Sequence, residues 1–296
     1  MVNKYLILIE QFSLGGKIII GVFFCVLLVM LFSFVLKMLE MGYVMWHKKP
    51  FFVHSPFFLK KLKPNQKFIL EQQFKFYNKL TPKHKIYFEH RVASFIIDKH
   101  FIGRDNLHVT EEMKVLISAT AVMLTFGFRD FYIGLINKIF IYPEEFYSNM
   151  NQDYHKGEFN PRLETLVLSW KDFKKGFEIE KDKLNLGIHE FAHAIHLNSM
   201  KERDVSSTIF SDSFKELTEL LANTETLRKD LINSEYFREY AYTNQYEFLA
   251  VIIESFIETP EDKCPAKPNR FGSRKKILKT ASRFANVCVS STKTTI

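Results

Sequence analysis

Cysteine is scarce in this chain. Its 296 residues contain three, Cys25, Cys264 and Cys288, and they are widely separated. Three scattered thiols are too few for a disulfide framework or for a zinc site built from cysteines. An internal repeat is also lacking, so the sequence gives no sign of a repeat architecture.

A positive charge spread over the whole chain is missing as well. The net charge is +8, but residues 261–296 hold nine Lys or Arg and two acidic residues, and so carry +7 of it. The rest of the chain is therefore close to neutral, and charge gives no case for a DNA-binding fold. Because residues 261–296 lose apolar periodicity and are rich in Ser and Thr, we expect a basic, mobile tail.

A long apolar run stands near the N-terminus. Residues 18–36 are uncharged and lie between Lys17 and Lys37. Nineteen helical residues span about 28 Å, which is enough to cross the hydrocarbon core of a bilayer. A signal peptide is the alternative, but its apolar region would be shorter and a small-residue cleavage site would follow. We predict a short segment at 1–17 and an uncleaved transmembrane helix at 18–36.

The residues after this run suggest an orientation. Lysines are more numerous on its C-terminal side than on its N-terminal side (Lys37, Lys48, Lys49, Lys60 and Lys61 against Lys4 and Lys17). The positive-inside rule then places the main domain in the cytoplasm. We interpret residues 37–64 as a juxtamembrane linker; its aromatic and basic part, 41–63, either lies on the lipid surface or forms the first packed edge of the domain.

Residues 65–260 show mixed helix and strand patterns. Apolar spacing predicts helices over 65–100, interrupted at Thr81-Pro82, and from an N-cap at Thr110 to about Thr125. Strands are predicted at 138–142 and 164–170, with a loop at 144–163 between them. Three further helices are predicted. Two span residues 182–198 and 205–231, and the third begins at Thr243 or Asn244 and ends before Pro260. The pattern indicates an α+β domain, mostly helical, with a small sheet.

The helix predicted at 182–198 contains the sequence His189-Glu190-Phe191-Ala192-His193. Two histidines four residues apart share one helix face, so both imidazoles can reach one zinc ion. Glu190 stands beside them, where its carboxylate can take a proton from a water at the metal.

A catalytic zinc takes three protein ligands, so a third must come from elsewhere. The extended motif H-E-x-x-H-x-x-G-x-x-H is excluded, because its last two positions are His196 and Ser199 here. We expect His196 to support the ligands without binding the metal. Glu247 and Glu254 are better candidates, since a carboxylate on a strongly apolar helix is costly unless it is paired.

Each of these carboxylates also has another interpretation. Glu247 lies three residues after Asn244, the spacing of a capping box. Glu254 can instead form a salt bridge or orient a ligating histidine.

A two-part pattern then resembles a known family. The His-Glu-x-x-His motif is followed by Tyr240-x-x-Thr243-Asn244-x-x-Glu247-Phe248-x-Ala250, as in the zinc peptidases of the Mlc titration factor A (MtfA) family. The pattern is also similar to the catalytic domain of anthrax lethal factor. Supporting matches at 107–117, 141–143 and 167–170 extend the resemblance over about 65–260. The family's usual Asp is replaced by His196, and its C-terminal continuation is missing.

This resemblance implies a zincin-like fold and the roles of several residues. His189, His193 and Glu247 would bind one Zn²⁺, and Glu190 would act as general base. Tyr240 would stabilise the oxyanion; without the family it can equally be a core aromatic. The strand at 164–170 would be an edge strand that docks extended peptide.

We therefore predict a membrane-anchored zinc metallopeptidase that acts on a peptide or protein. The alternative is a membrane-tethered scaffold that contains zinc and binds a transcriptional regulator with little turnover. Nucleic-acid binding would rest on the tail alone and is not expected.

Overall fold

The structure is a computed structural model, and it describes residues 13–56, 58–148, 152–178, 184–225, 229, 232 and 237–258. The predicted tail at 261–296 lies outside the described residues. The chain divides into two compact units, Met1–Phe51 and Phe52–Ile296, which are described separately below.

The first unit contains one long helix, α1 (Leu14–His47), which begins after Ser13. It is long and apolar enough to be a candidate membrane span, and the most apolar part of it has no side chains buried in protein. The helix continues past residue 36, so the segment predicted as a linker begins inside it. No proline precedes Pro50 to stop it. Lys48 ends the helix in the left-handed conformation, with a φ of 52°.

The second unit begins with a segment that is packed on one side only. Arg91 donates a hydrogen bond to the Val53 carbonyl at 2.8 Å, and the ring of His54 stacks on Tyr87 with 4.6 Å between centroids. Phe52 and Phe58, in contrast, are 52% and 97% exposed. This stretch is thus a packed edge of the domain that also presents aromatic rings to its surroundings.

Four helices lie in the stretches predicted to be helical, and they are α2 (Pro64–Gln73), α3 (Lys75–Asn78), α4 (Pro82–Asp98) and α5 (Glu111–Leu124). The break at Phe74, between α2 and α3, was not predicted. The predicted interruption at Thr81-Pro82 is confirmed. Thr110 caps α5 by accepting a hydrogen bond from the Met113 amide at 3.2 Å. Because α5 is buried at Met113 and from Val115 onward, it forms the centre of the hydrophobic core.

The strands lie beside this core. They are β1 (His100–Gly103), β2 (Lys138–Tyr142), β3 (Phe146–Ser148), β4 (Asp153–His155), β5 (Gly157–Asn160) and β6 (Thr165–Ser169). One sheet has the order β1-β2-β6-β5, and β3 pairs with β4 in a separate hairpin. β1, β2 and β6 are parallel, whereas β5 is antiparallel to β6.

Two strand predictions were wrong. The predicted loop at 144–163 contains β3, β4 and β5, which are only three or four residues long and so too short to show an apolar alternation. The predicted edge strand at 164–170 is an interior strand, because β6 pairs with β2 on one side and with β5 on the other. β5 takes the edge position instead.

The remaining elements follow β6 along the chain. They are α6 (Trp170–Glu178), α7 (Leu186–Lys201), α8 (Val205–Ala222), a 3₁₀ turn (Glu239–Tyr242) and α9 (Gln245–Glu258). The helix predicted at 205–231 is interrupted at Asn223, which caps the C-terminal end of α8. Beyond it, Glu225 and Lys229 are helical, and residues 226–228, 230 and 231 lie outside the described residues. The fold class is confirmed, since a mostly helical α+β domain with a small sheet follows one long apolar helix.

Candidate metal centre

The motif helix α7 is fixed at its first turn. The Asn185 side chain accepts a hydrogen bond from the Ile188 amide at 3.1 Å and donates one to the Gly176 carbonyl of α6 at 3.0 Å. A side chain at Gly187 would place its Cβ 2.4 Å from the Phe173 ring, so glycine there lets α6 and α7 pack closely. The N-terminal end of α7 is therefore held against α6.

The two motif histidines meet on one face of α7. Their Nε2 atoms are 3.1 Å apart, and their rings are nearly perpendicular, at 84°. The side chains of His189 and His193 are 14% and 19% exposed, respectively. Both nitrogens thus point at one partly buried position.

Glu247, in the first turn of α9, faces the same position. Its Oε2 lies 3.1 Å from His189 Nε2, and its Oε1 lies 3.5 Å from His193 Nε2. Asn244 accepts a hydrogen bond from the Glu247 amide at 3.0 Å, as an N-cap does. Capping of α9 and the contact with the histidines are therefore compatible. The Asn244 side chain caps the helix, and the Glu247 carboxylate contacts the histidines.

The donor set fits a metal ion. One ligand atom from each of His189, His193 and Glu247 lies within 4.8 Å of the others. Glu247 Oε2 is buried and makes no hydrogen bond of normal geometry to the described residues. Two imidazoles and one carboxylate are a usual ligand set for catalytic zinc. A cation at this point would satisfy all three groups.

The charges of the trio are strongly coupled. Burial works to lower the pKa of His189, but its contacts with Glu247 and Glu254 outweigh burial and raise that pKa to about 10. Burial works to raise the pKa of Glu247, but contacts with His189 and His193 outweigh it and hold that pKa well below its usual range. The carboxylate is therefore ionised, as a metal ligand must be.

Glu190 lies beside the trio and is almost covered, with 8% of its surface exposed. Burial is the main cause that raises the pKa of this carboxyl. A Cβ on Gly157 of β5 would lie 2.7 Å from both Cγ and Oε1 of Glu190. The backbone of β5 therefore passes directly against the predicted general base.

A cleft opens over these residues. It has a volume of about 400 Å³, and its lining includes Tyr154, Gly157, His189, Glu190 and Tyr240. Tyr240 is 51% exposed, and its ring centroid is 6.2 Å from that of His189. Burial, followed by the nearby Glu247, raises the pKa of Tyr240 to about 12, so its hydroxyl is a proton donor at neutral pH.

His196 is separated from the trio. It is 5% exposed, and its ring packs 4.7 Å from Phe214 and 5.3 Å from Tyr246. Burial lowers the pKa of His196 to about 4, so the ring is neutral. Its described neighbours are mainly aromatic, and it packs α7 against α8 and α9.

Glu254, one of the two carboxylates that the sequence singled out, is buried with 1% exposed. Its Oε1 accepts a hydrogen bond from the Asn185 amide at 2.7 Å. Its Oε2 forms an ion pair with Arg238 and lies 3.5 Å from His189 Nδ1. Of the interpretations given to Glu254, the salt bridge is observed. Its contact with the outer nitrogen of His189 is the one expected of a carboxylate that orients a ligating histidine. Glu254 is not part of the His189, His193 and Glu247 group.

Comparison with known proteins identifies the domain at the family level. A family model described as glucose-regulated metallo-peptidase M90 matches residues 57–272, which include the whole candidate metal centre. The chain belongs to the M90 metallopeptidase family. It is also similar to the uncharacterized protein slr2042 of Synechocystis sp., with 26% identity over 227 residues that cover 69% of this chain and 80% of the relative.

Membership of the M90 family supports the coarser part of the prediction, a metallopeptidase-type enzyme, and implies a metal, typically zinc. The predicted relation to anthrax lethal factor stays a prediction. Two residues of this M90 domain that contact the site were missed from sequence, Gly157 and Arg238. Neither residue belongs to a sequence motif with a recognisable spacing, so their contacts with the site can be seen only in the folded structure.

Proposed function

We propose that this chain is a zinc metallopeptidase that hydrolyses peptide bonds, with one Zn²⁺ held by His189, His193 and Glu247. The observation that carries the proposal is the convergence of three ligand atoms, from two helices far apart in sequence, within 4.8 Å of one another. Three protein ligands leave a position open for water or substrate, which distinguishes catalytic zinc from structural zinc.

The residues around the ion divide the chemistry between them. Zinc, when bound, supplies Lewis acidity that polarises the scissile carbonyl and acidifies water. Glu190 accepts the proton of the attacking water and passes it to the leaving amine, so the carboxylate is regenerated. Its burial favours this role, because the raised pKa brings the carboxyl closer to neutral working pH. Tyr240 donates a hydrogen bond to the developing oxyanion.

We place the substrate along β5. In the described part of the chain, β5 pairs with β6 and no strand pairs with its other side. An extended peptide can add to such an edge through its main chain. Gly157 at the start of β5 touches Glu190, so a peptide bound there would bring its scissile bond close to the general base.

We also propose that α1 anchors the enzyme in a membrane, with the domain on the cytoplasmic side. The exposed apolar surface of α1 and the exposed Phe52 and Phe58 favour the membrane anchor. The excess of lysines on the C-terminal side of residues 18–36 favours the cytoplasmic orientation. Protease digestion of sealed inside-out vesicles would test the orientation. We expect the protease to cut the domain in these vesicles. If the protease cuts the domain only when it is added to the outside of intact cells, the domain lies on the opposite side of the membrane.

Removal and return of the metal would test the proposed activity. We expect the full chain in detergent to cleave a mixed peptide library, to stop after chelation, and to recover with one equivalent of zinc. If a folded, zinc-loaded chain leaves every peptide intact, the peptidase proposal fails. That result would favour the predicted alternative, a membrane-tethered scaffold that binds a transcriptional regulator.

A further inference from the structure

Tyr240 belongs to a short segment that is fixed on both sides. Ala241, the next residue, is fully buried in a small apolar cluster that includes Leu217 and Phe248. Arg238, two residues before Tyr240, forms an ion pair with Glu254 of α9. Tyr240 stands between these two anchors and is half exposed in the cleft.

The partner of Arg238 is itself immobilised. Glu254 is 1% exposed, and a buried carboxylate is costly unless several donors satisfy it. It has one donor in the Asn185 amide, at 2.7 Å, and it lies 3.5 Å from His189 Nδ1. Arg238 is thus tied to a group that is fixed to both the motif helix α7 and α9.

The backbone between Arg238 and Tyr240 transmits this constraint. The Ala241 amide donates to the Arg238 carbonyl at 2.9 Å. Thr243 donates to the Tyr240 carbonyl twice, from its amide at 3.2 Å and from its hydroxyl at 2.7 Å. These hydrogen bonds tie residue 238 to residue 241 and residue 240 to residue 243, so we expect a shift of residue 238 to move the ring of Tyr240 as well.

We propose that Arg238 is a positioning residue, which holds the 3₁₀ turn on Glu254 and thereby keeps the Tyr240 side chain in the cleft beside His189. The role rests on the proposed peptidase function, because Tyr240 acts only in that reaction. Arg238 uses one terminal nitrogen for the contact, and its buried Nε has no hydrogen-bond partner among the described residues. Lysine can therefore replace part of the interaction, which a bidentate arginine pair would not allow.

A double-mutant cycle tests whether Arg238 acts through Tyr240. We expect Arg238→Met to lower kcat of the zinc-loaded full chain by about 10- to 100-fold with little change in KM, since one oxyanion donor is worth about 10²- to 10³-fold. In a Tyr240→Phe background the same substitution should have almost no further effect. Arg238→Lys should restore part of kcat, and Arg162→Met, on an exposed turn, should leave it unchanged.

Amide hydrogen exchange gives a second readout that needs no turnover. We expect the amides of residues 239–243 to exchange faster in Arg238→Met and at the normal rate in Arg162→Met, with bound zinc retained in both. Equal losses of kcat in the two backgrounds, unchanged exchange, or loss of zinc in Arg238→Met would overturn the proposal. If the parent chain shows no turnover, the peptidase function fails, but the exchange rates still decide whether Arg238 holds the turn.

Discussion

Gly157→Ala is the substitution that most directly tests the contact between β5 and Glu190. The added Cβ would lie 2.7 Å from Glu190 Cγ, from Glu190 Oε1 and from Leu186 Cδ1. Carbon atoms in normal contact are about 3.5–4.0 Å apart, so something must move by about 1 Å. The end of the carboxylate can rotate away, but Cγ cannot move without displacing the side chain in a site where Glu190 is 8% exposed.

The size of the effect follows from this displacement. A general base contributes about 10²- to 10⁴-fold, and a misplacement of about 1 Å costs about 10²-fold. We therefore expect kcat to fall by about 100-fold. Overpacking should lower the free energy of unfolding by about 1–3 kcal/mol. Bound zinc should stay at one per chain, because the clash does not involve the three proposed ligands.

The assay compares kcat on one cleaved peptide with zinc content measured on the same preparation. Gly134→Ala is the matched control, since its Cβ would meet its nearest neighbours at an ordinary 3.5 Å. It should leave kcat unchanged. Wild-type kcat in Gly157→Ala would refute the proposed closeness of β5 and the base, and loss of zinc would show that the clash spreads to the ligands.

Three further predictions follow from the site and the core. Glu247→Ala should lose the bound zinc, whereas Glu254→Ala should retain it with affinity lowered by about 10- to 100-fold; the reverse result in a zinc titration would transfer the ligand role to Glu254. Burial, followed by the charge of Arg91, lowers the pKa of His54 from 6.5 to about 3. At a pH between these two values, His54 is protonated in the unfolded chain and neutral in the folded chain. Stability should therefore fall by about 1–2 kcal/mol between pH 6.5 and 5, and His54→Phe should reduce this slope in urea unfolding; an unchanged slope would contradict it. Asn185→Ala removes two hydrogen bonds at the start of α7 and should lower the free energy of unfolding by about 2 kcal/mol; an unchanged urea midpoint would contradict this.

Much of the helical framework could be predicted from the sequence, because each helix carries its own local signals. Thr110 with two glutamates after it predicted the start of α5, and Thr81-Pro82 predicted the start of α4. The site trio could also be proposed from sequence. The histidine spacing on one helix supplied two members, and the family resemblance supplied Glu247.

The rest depends on contacts that local signals do not encode. β5 is four residues long with a polar sequence, and its edge position follows from pairing with β6. Arg238 pairs with a residue 16 positions away, a separation that has no periodicity. Glu254 had three interpretations from sequence (metal ligand, salt-bridge partner or support for a histidine), and only the fold shows that this one buried carboxylate contacts both Arg238 and His189.

The measurement that tests the central claim most directly is peptide cleavage by Glu190→Gln at full zinc occupancy. The amide keeps the shape of the side chain and cannot accept the proton, so the account predicts bound zinc at one per chain and a kcat lower by at least about 100-fold. Cleavage by Glu190→Gln at the parent rate, with zinc bound, would contradict the assignment of Glu190 as general base.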